Sequence, residues 1–530
     1  MPTSSSAAPA LYTVEEVAEK LRLQPETVRQ MARDKRLPAR KVGRVWRFVP
    51  EEVQAWLQSQ PRSAEGAYVG ASRVREAALR LPGLGESPEV NGSAFKDPAF
   101  SENRSLPVHR WVPWIAGFSA GFVQDCLREY LWRAEASQAL VLDPFAGVGT
   151  TLVEAYRAGF NTVGFEINPY AVLAARAKLA AGEVSVPMLE AWTRIFNVFM
   201  EDNVARELPR QNGTSPPGFR SRIPFFSPQV EQQVSWALRF IRNTGDPELR
   251  DFFLIAFGSV MVKFSNYTYE PSLASRPGCG KPLVEIADVT GTMVGKLREM
   301  IEDCRRFQRG TQRSAYALRR DVFQDSFFNA ERHLPPGCVD LAITSPPYLN
   351  NYHYIRNTRP QLFWLQFVER AADLQKIEQA SFGRFWQTVR DGQRLDLEFQ
   401  LPELEVILDQ LRQTNLHRGV YGGPGWANYA AQYFNDAYRF CGVMARLLKP
   451  GGRTVVVIGN SILQGIEIKV EEFLAEIAEQ HGLKREDVHM LRTKRVGNSI
   501  IRSSVRNAAK DRVSLYEVAV VLQKPPHTLA

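Results

Sequence analysis

The sequence predicts an α/β protein with a Rossmann-like sheet, helical insertions and a small N-terminal winged helix-turn-helix domain. The apolar run 139–143 is followed by a glycine-containing loop at 144–149 and a helix start, and a second apolar run, 161–165, ends at Glu166. Short apolar runs that alternate with helical patterns are typical of a parallel sheet. The segment 13–57 combines short amphipathic helical patterns with a basic hairpin pattern, which predicts the N-terminal domain.

The loop after the first predicted strand has the composition of a ligand-binding turn. Gly147 and Gly149 permit a tight turn and a close approach of the backbone to a ligand, because glycine has no Cβ. Glu166, at the end of the second strand, is placed to bind ribose hydroxyls, as in dinucleotide-binding folds. The loop matches neither the six-residue dinucleotide fingerprint nor the phosphate loop that ends in Gly-Lys-Ser/Thr.

A third apolar run, 338–343, stops at a Thr-Ser-Pro-Pro-Tyr segment, residues 344–348. Proline fixes its own φ and drives the preceding residue toward an extended conformation, so this loop is stiff. Methyl transfer to an exocyclic amino group is one chemistry that needs such a loop. The Ser345 hydroxyl and the Pro346 carbonyl are able to accept from the NH2 group, and Tyr348 is able to stack on the base. A Pro-Pro turn that merely ends a strand is the alternative interpretation.

Taken together, these motifs resemble the amino-group DNA methyltransferases that use S-adenosylmethionine. The loop at 143–149 resembles the family's cofactor motif, and residues 345–348 resemble its catalytic motif in the form typical of N4-cytosine enzymes. Adenine-N6 enzymes usually carry Asp or Asn at the position of Ser345, with exceptions. The resemblance extends from about Ser105 onward. It implies a class I methyltransferase sheet, S-adenosylmethionine as the cofactor and no covalent intermediate.

The same resemblance assigns candidate site residues. The implied catalytic residues are Ser345, Pro346, Pro347 and Tyr348. The implied cofactor-binding residues are Asp143, Phe145, Gly147, Gly149, Thr150, Glu166, Asp321, Phe118 and Ser119. Asp321 is expected to meet the cofactor adenine and Glu166 the ribose. The methionine end is expected to meet Phe118, Ser119 and Thr150.

The composition agrees with a nucleic-acid partner. The chain has 530 residues, a net charge of +9 and a sequence pI of about 9.3, which suits a polyanion. Five cysteines without a C-x-x-C pair and seven scattered histidines predict a reducing compartment and no metal site. No segment is apolar enough to span a membrane, and residues 1–9 lack an apolar signal core. We therefore expect a cytoplasmic protein that does not bind a membrane.

Residues 1–60 predict a separate DNA-binding domain. Thr13 begins a capping box, Pro25 and Pro50 open two further helices, and a hairpin, or wing, is predicted at 38–48. The segment resembles the excisionase-like, MerR-related helix-turn-helix modules. The cations expected to face phosphates are Arg29, Arg33, Lys35, Arg36, Arg40, Lys41, Arg44 and Arg47. A charged, solvated face on a protein-docking domain is the alternative.

The rest of the chain divides into a linker and a catalytic domain. Residues 61–104 are rich in Ser, Gly, Pro and Glu and predict a flexible linker. Residues 105–526 form the predicted methyltransferase domain, with insertions at about 184–311 and 349–425. The first insertion is predicted to be mainly helical, with an irregular loop at 265–282.

The second insertion directly follows the catalytic loop, so residues 350–353 are expected to line the same pocket. An aromatic-rich helix is predicted at 356–367, and its rings are expected to serve the core. The glycine-rich segment 419–425 is predicted to be a mobile loop near the DNA.

The expected substrate is double-stranded DNA with a flipped-out target base, because the amino group cannot be reached inside a duplex. A cognate restriction or defence-system protein is a further candidate partner. Alternative functions are methylation of adenine N6, methylation of RNA or of a protein side-chain amide, and a non-catalytic DNA-binding regulator with a relic methyltransferase fold. The intact Gly147, Glu166 and Ser345 argue against a relic.

Overall fold

The structure is a computed structural model that describes residues 11–21, 28–29, 32–33, 37–42, 45–59, 95, 102–114, 117, 119–131, 138–204, 215–270, 272–310, 317–349, 354–494 and 515–526. The chain divides into two compact units, residues 1–85 and 86–530. The predicted linker lies almost entirely outside the described residues, as do the candidate site residues Lys35, Arg36, Arg44 and Phe118 and the segment 350–353. None of the described helices is both long and apolar enough to cross a membrane.

The N-terminal unit contains the predicted capping box and wing. Its elements are α1 (Val14–Leu21), β1 (Arg40–Val42), β2 (Val45–Arg47) and α2 (Pro50–Ser59). The Glu16 N–H donates to Thr13 Oγ1 at 3.2 Å, and the Thr13 N–H donates to Glu16 Oε2 at 2.7 Å, which closes the box at the start of α1. Strands β1 and β2 pair antiparallel. The fully buried Val17, Val28 and Phe48 form the centre of this unit's core.

The second unit is built from a sheet with helices on its faces. Its strands are β3 (Leu140–Asp143), β4 (Asn161–Phe165), β5 (Tyr267–Tyr269), β6 (Leu273–Ser275), β7 (Arg320–Phe323), β8 (Val339–Thr344), β9 (Leu448–Gly459), β10 (Ser461–Leu463), β11 (Ile466–Ile468), β12 (Lys484–Lys494) and β13 (Leu515–Gln523). Its helices are α3 (Ala120–Leu131), α4 (Thr150–Arg157), α5 (Pro169–Ala180), α6 (Val186–Asn203), α7 (Pro228–Arg242), α8 (Pro247–Val260), α9 (Val289–Gly310), α10 (Tyr354–Trp364), α11 (Ala371–Gln379), α12 (Trp386–Val389), α13 (Pro402–Gln413), α14 (Gly423–Leu447) and α15 (Val470–Gln480).

The main sheet has the strand order β12-β13-β9-β8-β3-β4-β7. Strand β13 is antiparallel to both of its neighbours, and the pairs from β9 to β7 are parallel. The chain order reverses between β3 and β8, and ligands of open α/β sheets bind at the carboxyl ends of the strands beside such a reversal. The predicted glycine loop follows β3, Glu166 follows β4 and the Ser-Pro-Pro-Tyr segment follows β8. The fold therefore brings the three motifs to one edge of the sheet.

The first insertion is mainly helical, as predicted, and it contains α6, α7, α8 and α9. The loop predicted at 265–282 contains the short antiparallel hairpin β5–β6. The Tyr269 hydroxyl of this hairpin donates to the Asn357 carbonyl at 2.9 Å, and the Leu273 N–H donates to Asn357 Oδ1 at 3.1 Å. The hairpin is thus tied to α10, the helix that follows the Ser-Pro-Pro-Tyr segment in the chain.

The second insertion departs from the sequence prediction in its glycine-rich segment. Helix α10 is present where a helix was predicted, and its Leu362, Phe363 and Trp364 are buried in the core. The mobile loop predicted at 419–425 is instead a short 3-10 turn that leads into α14 at Gly423. A Cβ on Gly423 would lie 1.6 Å from the Leu411 carbonyl oxygen, so this glycine serves close backbone packing.

Candidate functional site

A cleft with an empty volume of about 1280 Å³, which includes space open to solvent, lies at the carboxyl ends of β3, β4 and β8. The predicted site residues that line it are Asp143, Phe145, Gly147, Thr150, Glu166, Ser345 and Pro347. The structure therefore brings residues from the predicted cofactor set and the predicted catalytic set into one cavity.

The two glycines of the loop after β3 have different surroundings. Both have a positive φ, 49° at Gly147 and 83° at Gly149. A Cβ on Gly147 would lie 3.2 Å from Trp114 Nε1, and both residues line the cleft. A Cβ on Gly149 would lie 2.9 Å from the Cβ of Ala175, and Gly149 does not line the cleft. Gly147 therefore shapes the cavity, whereas Gly149 permits α4 and α5 to approach each other.

Glu166 is fixed by backbone N–H groups on both of its oxygens. Gly147 donates to Oε2 at 2.9 Å, and Asn168 donates to Oε1 at 2.8 Å. A carboxylate has about four lone-pair sites, so Glu166 keeps acceptor capacity for a ligand hydroxyl. Burial raises the pKa of the Glu166 carboxyl to about 7, although hydrogen bonds from the Asn168, Gly147 and Ile167 N–H groups favour its charged form.

Asp143 joins the glycine loop to β8, the strand that precedes the Ser-Pro-Pro-Tyr segment. The side chain is buried, and its Oδ1 accepts from Thr344 Oγ1 at 2.7 Å and from the Phe145 N–H at 3.1 Å. Burial raises the pKa of this carboxyl to about 6. Since Thr344 precedes Ser345, Asp143 fixes the position of the glycine loop relative to the Ser-Pro-Pro-Tyr segment.

The Ser-Pro-Pro-Tyr segment leaves β8 in the cleft wall. Ser345 and Pro347 line the cleft, Pro346 is buried, and the half-buried Tyr348 packs against the core cluster that includes the side chains of α14. At the end of the segment the Leu349 carbonyl accepts a hydrogen bond from Ser461 Oγ. The segment is therefore anchored at both ends, by Thr344 and by Leu349.

The acid predicted to meet the adenine, Asp321, does not line the cleft. It lies within β7, and its Oδ2 accepts from Arg319 Nε at 2.6 Å. Asp325 follows the end of β7 and does line the cleft. Residues at the carboxyl end of a strand reach the ligand edge of the sheet, whereas residues inside the strand do not.

Asp325 is held in place by a small network. Asn329 Nδ2 donates to its Oδ1 at 2.8 Å, and His333 Nε2 lies 2.9 Å from its Oδ2. Burial opposes ionisation of Asp325, but these hydrogen bonds outweigh it and lower the pKa of the carboxyl. The group is therefore a fixed carboxylate at the cleft wall, beside Phe327 and Phe328, which also line the cleft.

The chain resembles a group of bacterial and archaeal methyltransferases in sequence. It is 24% identical over 467 residues to the type II methyltransferase M.BsoBI of Geobacillus stearothermophilus, covering 81% of this chain and 87% of the relative. It is also 24% identical over 449 residues to the type II methyltransferase M.AvaI of Anabaena variabilis, and the match covers 81% of this chain and 88% of the relative. The type II methyltransferase M.MvaI of Kocuria varians is 22% identical over 358 residues, with 66% and 75% covered. The chain is a homologue of the type II methyltransferases. In addition, residues 11–61 match the family described as "Helix-turn-helix domain".

The helix-turn-helix domain of this methyltransferase homologue holds several of its predicted cations in ion pairs or against aromatic rings. Arg29 pairs with Glu15 at 2.7 Å, and Arg40 pairs with Glu52 at 2.6 Å. In addition, Arg47 Nη1 donates to the Trp46 carbonyl at 2.9 Å, and Lys41 Nζ lies 5.9 Å from the centroid of the Trp46 ring. Arg33 lies in a described helical turn.

The residues predicted to meet the methionine end of the cofactor are only partly in the cleft. Thr150 lines it, together with Trp114 and Gly117. Ser119 is fully buried and outside the cleft lining, and its Oγ accepts from the Phe122 N–H at 3.2 Å. Ser119 therefore stabilises the first turn of α3.

The second insertion supplies a cleft wall that the sequence pattern did not reveal. Residues 380–382 and 384–385 line the cleft, and the Phe382 ring meets Phe145 edge-on with centroids 5.3 Å apart. Gly383 and Arg384 have φ values of 71° and 41°, a region that a side chain disfavours. Asp436 Oδ2 accepts the Gly383 N–H at 2.9 Å and fixes this turn. The turn at Gly383 therefore depends on Asp436, which is 53 positions away in the sequence. No local sequence signal reveals such a contact.

We expect the ligand-free protein to lose stability relative to a Glu166→Gln variant as the pH rises from about 5 to about 8. The folded-state pKa of about 7 lies above the ordinary value of 4.5, so the folded state binds more protons between these values. The free energy of unfolding then falls as the pH rises through this window, while glutamine does not titrate. Thermal unfolding of both proteins at the two pH values measures the difference. If the wild type and Glu166→Gln differ in Tm by the same amount at both pH values, the pKa of Glu166 is not raised.

Proposed function

We propose that the protein transfers a methyl group from S-adenosylmethionine to the exocyclic N4 amino group of cytosine in DNA. The observation that carries this proposal is that Ser345 lines the same cleft as Gly147 and Glu166. Homology to type II methyltransferases supports the transferase class. A serine at position 345, where adenine enzymes usually carry Asp or Asn, favours cytosine as the base.

The cleft residues fit the parts of S-adenosylmethionine. Glu166 keeps lone pairs for the ribose hydroxyls, and the missing Cβ of Gly147 leaves room beside Trp114. We assign the adenine to Asp325 and Phe327, since Asp321 does not line the cleft. When bound, S-adenosylmethionine supplies a methyl group that the positive sulfonium makes electrophilic.

The catalytic segment acts by holding the target amino group. The Ser345 hydroxyl oxygen and the Pro346 carbonyl accept hydrogen bonds from the amino group and draw its hydrogens out of the ring plane, which frees the nitrogen lone pair from the ring. Tyr348 stacks on the flipped base and fixes its plane. Fixed acceptors and a fixed geometry lower the barrier by positioning and by charge complementarity. The Asp143–Thr344 hydrogen bond keeps these acceptors in register with the glycine loop.

The proposed reaction predicts N4-methylcytosine in the DNA of an expression host that lacks its own DNA methylation. Mass spectrometry of the digested nucleosides measures it, and cells that express the Ser345→Ala variant are the matched control. N6-methyladenine without N4-methylcytosine would assign the enzyme to adenine. If neither nucleoside appears, the DNA-binding regulator is the better interpretation.

We also propose that the N-terminal domain binds DNA phosphates. Deleting residues 1–60 should weaken DNA affinity and make it less dependent on salt, because each lost phosphate contact lowers the salt slope by about 0.9. Binding titrations at several salt concentrations measure this slope. The double substitution Arg40→Gln and Lys41→Gln should lower the slope by a smaller amount. Unchanged affinity and slope after the deletion would mean that the domain serves a protein partner.

A further inference from the structure

The turn before α14 presents apolar side chains to solvent close to the cleft. This turn, Leu416–Tyr421, is called the tip segment here. Its Leu416, Val420 and Tyr421 are 57%, 38% and 58% exposed. A cluster of exposed apolar side chains on a protein surface often marks an interaction site.

The Tyr421 ring belongs to a cluster of aromatic and cationic groups that reaches the cleft wall, in which its centroid lies 5.8 Å from that of Trp386. The Arg390 guanidinium lies 4.6 Å from the centroid of Tyr421 and 4.5 Å from that of Trp386. Trp386 in turn stacks on Trp426 at 5.0 Å, and it directly follows Phe385, which lines the cleft. The exposed ring is therefore supported from behind and connected to the proposed active site.

The backbone of the tip segment is tightly constrained. Asn415 and Gly419 have φ values of 51° and 54°. The Gly422 N–H donates to the Gly419 carbonyl at 2.9 Å, and the Gly423 N–H donates to the Thr414 carbonyl at 2.8 Å. A Cβ on Gly422 would lie 2.2 Å from the carbonyl oxygen of Asn415, so the turn closes only with glycine there. A closed turn of this kind holds its exposed side chains in fixed directions.

The surroundings of the tip segment favour a polyanionic partner. Arg418 lies within the segment, and Arg384 lines the cleft. Arg390 is partly neutralised by Asp391 at 3.2 Å. Together with the net charge of +9, these cations match the phosphates that flank any base in a duplex.

We propose that the tip segment stacks on the DNA base pair beside the position that the flipped target base leaves. Tyr421 would cover the exposed face of that pair, and Leu416 would pack next to it. Aromatic side chains stack on exposed bases irrespective of sequence, and apolar side chains enter opened base steps in many proteins that distort DNA. The inference rests on the proposed function, whose target base leaves the duplex.

Two fluorescein-labelled duplexes of the same arbitrary sequence test this inference, one intact and one with a central abasic site. The full-length protein should bind the abasic duplex more tightly, by about ten-fold, because the gap offers a base face for stacking. Tyr421→Ala and Leu416→Ala should lose that preference, and Tyr421→Phe should keep it. Val406→Ala is the matched control, since Val406 is 56% exposed on α13, and it should keep the preference.

Thermal unfolding and S-adenosylmethionine binding by each variant separate a lost contact from a lost fold. Equal affinity of the wild-type protein for both duplexes, or a preference that survives in Tyr421→Ala and Leu416→Ala, would overturn the inference. Methyl transfer to DNA in the same preparations is scored separately. If methyl transfer is absent but the preference for the abasic duplex depends on the tip segment, the proposed function is refuted and the tip contact stands. If transfer is normal but no such preference is found, the tip contact is refuted and the proposed function stands.

Discussion

The Ser345→Ala variant is expected to transfer methyl groups about a hundredfold or more slowly than the wild type, with unchanged affinity for S-adenosylmethionine. Ser345 lines the cleft at the end of β8, and we propose that its hydroxyl oxygen accepts a hydrogen bond from the target amino group. The loss of one such transition-state hydrogen bond costs roughly 2.7–4 kcal/mol. Single-turnover transfer from radiolabelled S-adenosylmethionine to DNA measures the rate, and calorimetry measures the cofactor affinity.

Two further substitutions control this experiment. Ser381 also lines the cleft, but its Oγ donates to the Ile377 carbonyl at 3.2 Å, so Ser381→Ala should leave transfer unchanged. Tyr348→Phe keeps the ring that we propose to stack on the base and should retain most of the rate. If Ser345→Ala lowers the affinity for S-adenosylmethionine by the same factor as the transfer rate, Ser345 contacts the cofactor and not the target base.

The sequence predicted the position of the cleft because its motifs follow buried strands. Gly147, Glu166 and Ser345 each come after an apolar run, and these runs are the adjacent strands β3, β4 and β8. The carboxyl ends of neighbouring parallel strands lie at one edge of a sheet. The positions of the motifs directly after the strands were therefore enough to predict that they lie close together. The adenine contact shows the limit of this reasoning, because Asp321 was chosen from a family resemblance and not from the end of a strand, and Asp325, not Asp321, lines the cleft.

The glycines and the insertions were less predictable. Gly149 was assigned to the ligand, yet a Cβ there would meet Ala175, a residue on a different helix. Residues 419–425 were predicted to be mobile because they are rich in glycine, whereas the glycine at 423 is explained by its close approach to the Leu411 carbonyl. In each case the deciding contact is made through the tertiary structure. Sequence periodicity describes one element at a time and does not contain such contacts.

The second large effect is expected at Asp325, the residue to which we assign the cofactor adenine. Asp325→Ala is expected to weaken S-adenosylmethionine binding by about ten- to a hundredfold, because hydrogen bonds to charged groups are worth about 1.5–3 kcal/mol. Asp321→Ala is the matched control and should bind normally, since Asp321 pairs with Arg319 and does not line the cleft. Calorimetric titration of both variants measures the two affinities.

The hydrogen bonds of Asp325 to neighbouring side chains complicate the effect of an alanine substitution on binding. Alanine also removes the partner of Asn329 and His333, and a collapse of that turn would weaken binding indirectly. Asp325→Asn keeps the size of the side chain and removes its charge, so it should bind less tightly than the wild type while unfolding at a similar temperature. If Asp321→Ala weakens binding and Asp325→Asn does not, the adenine lies against β7 itself, and the sequence-based choice of Asp321 was right.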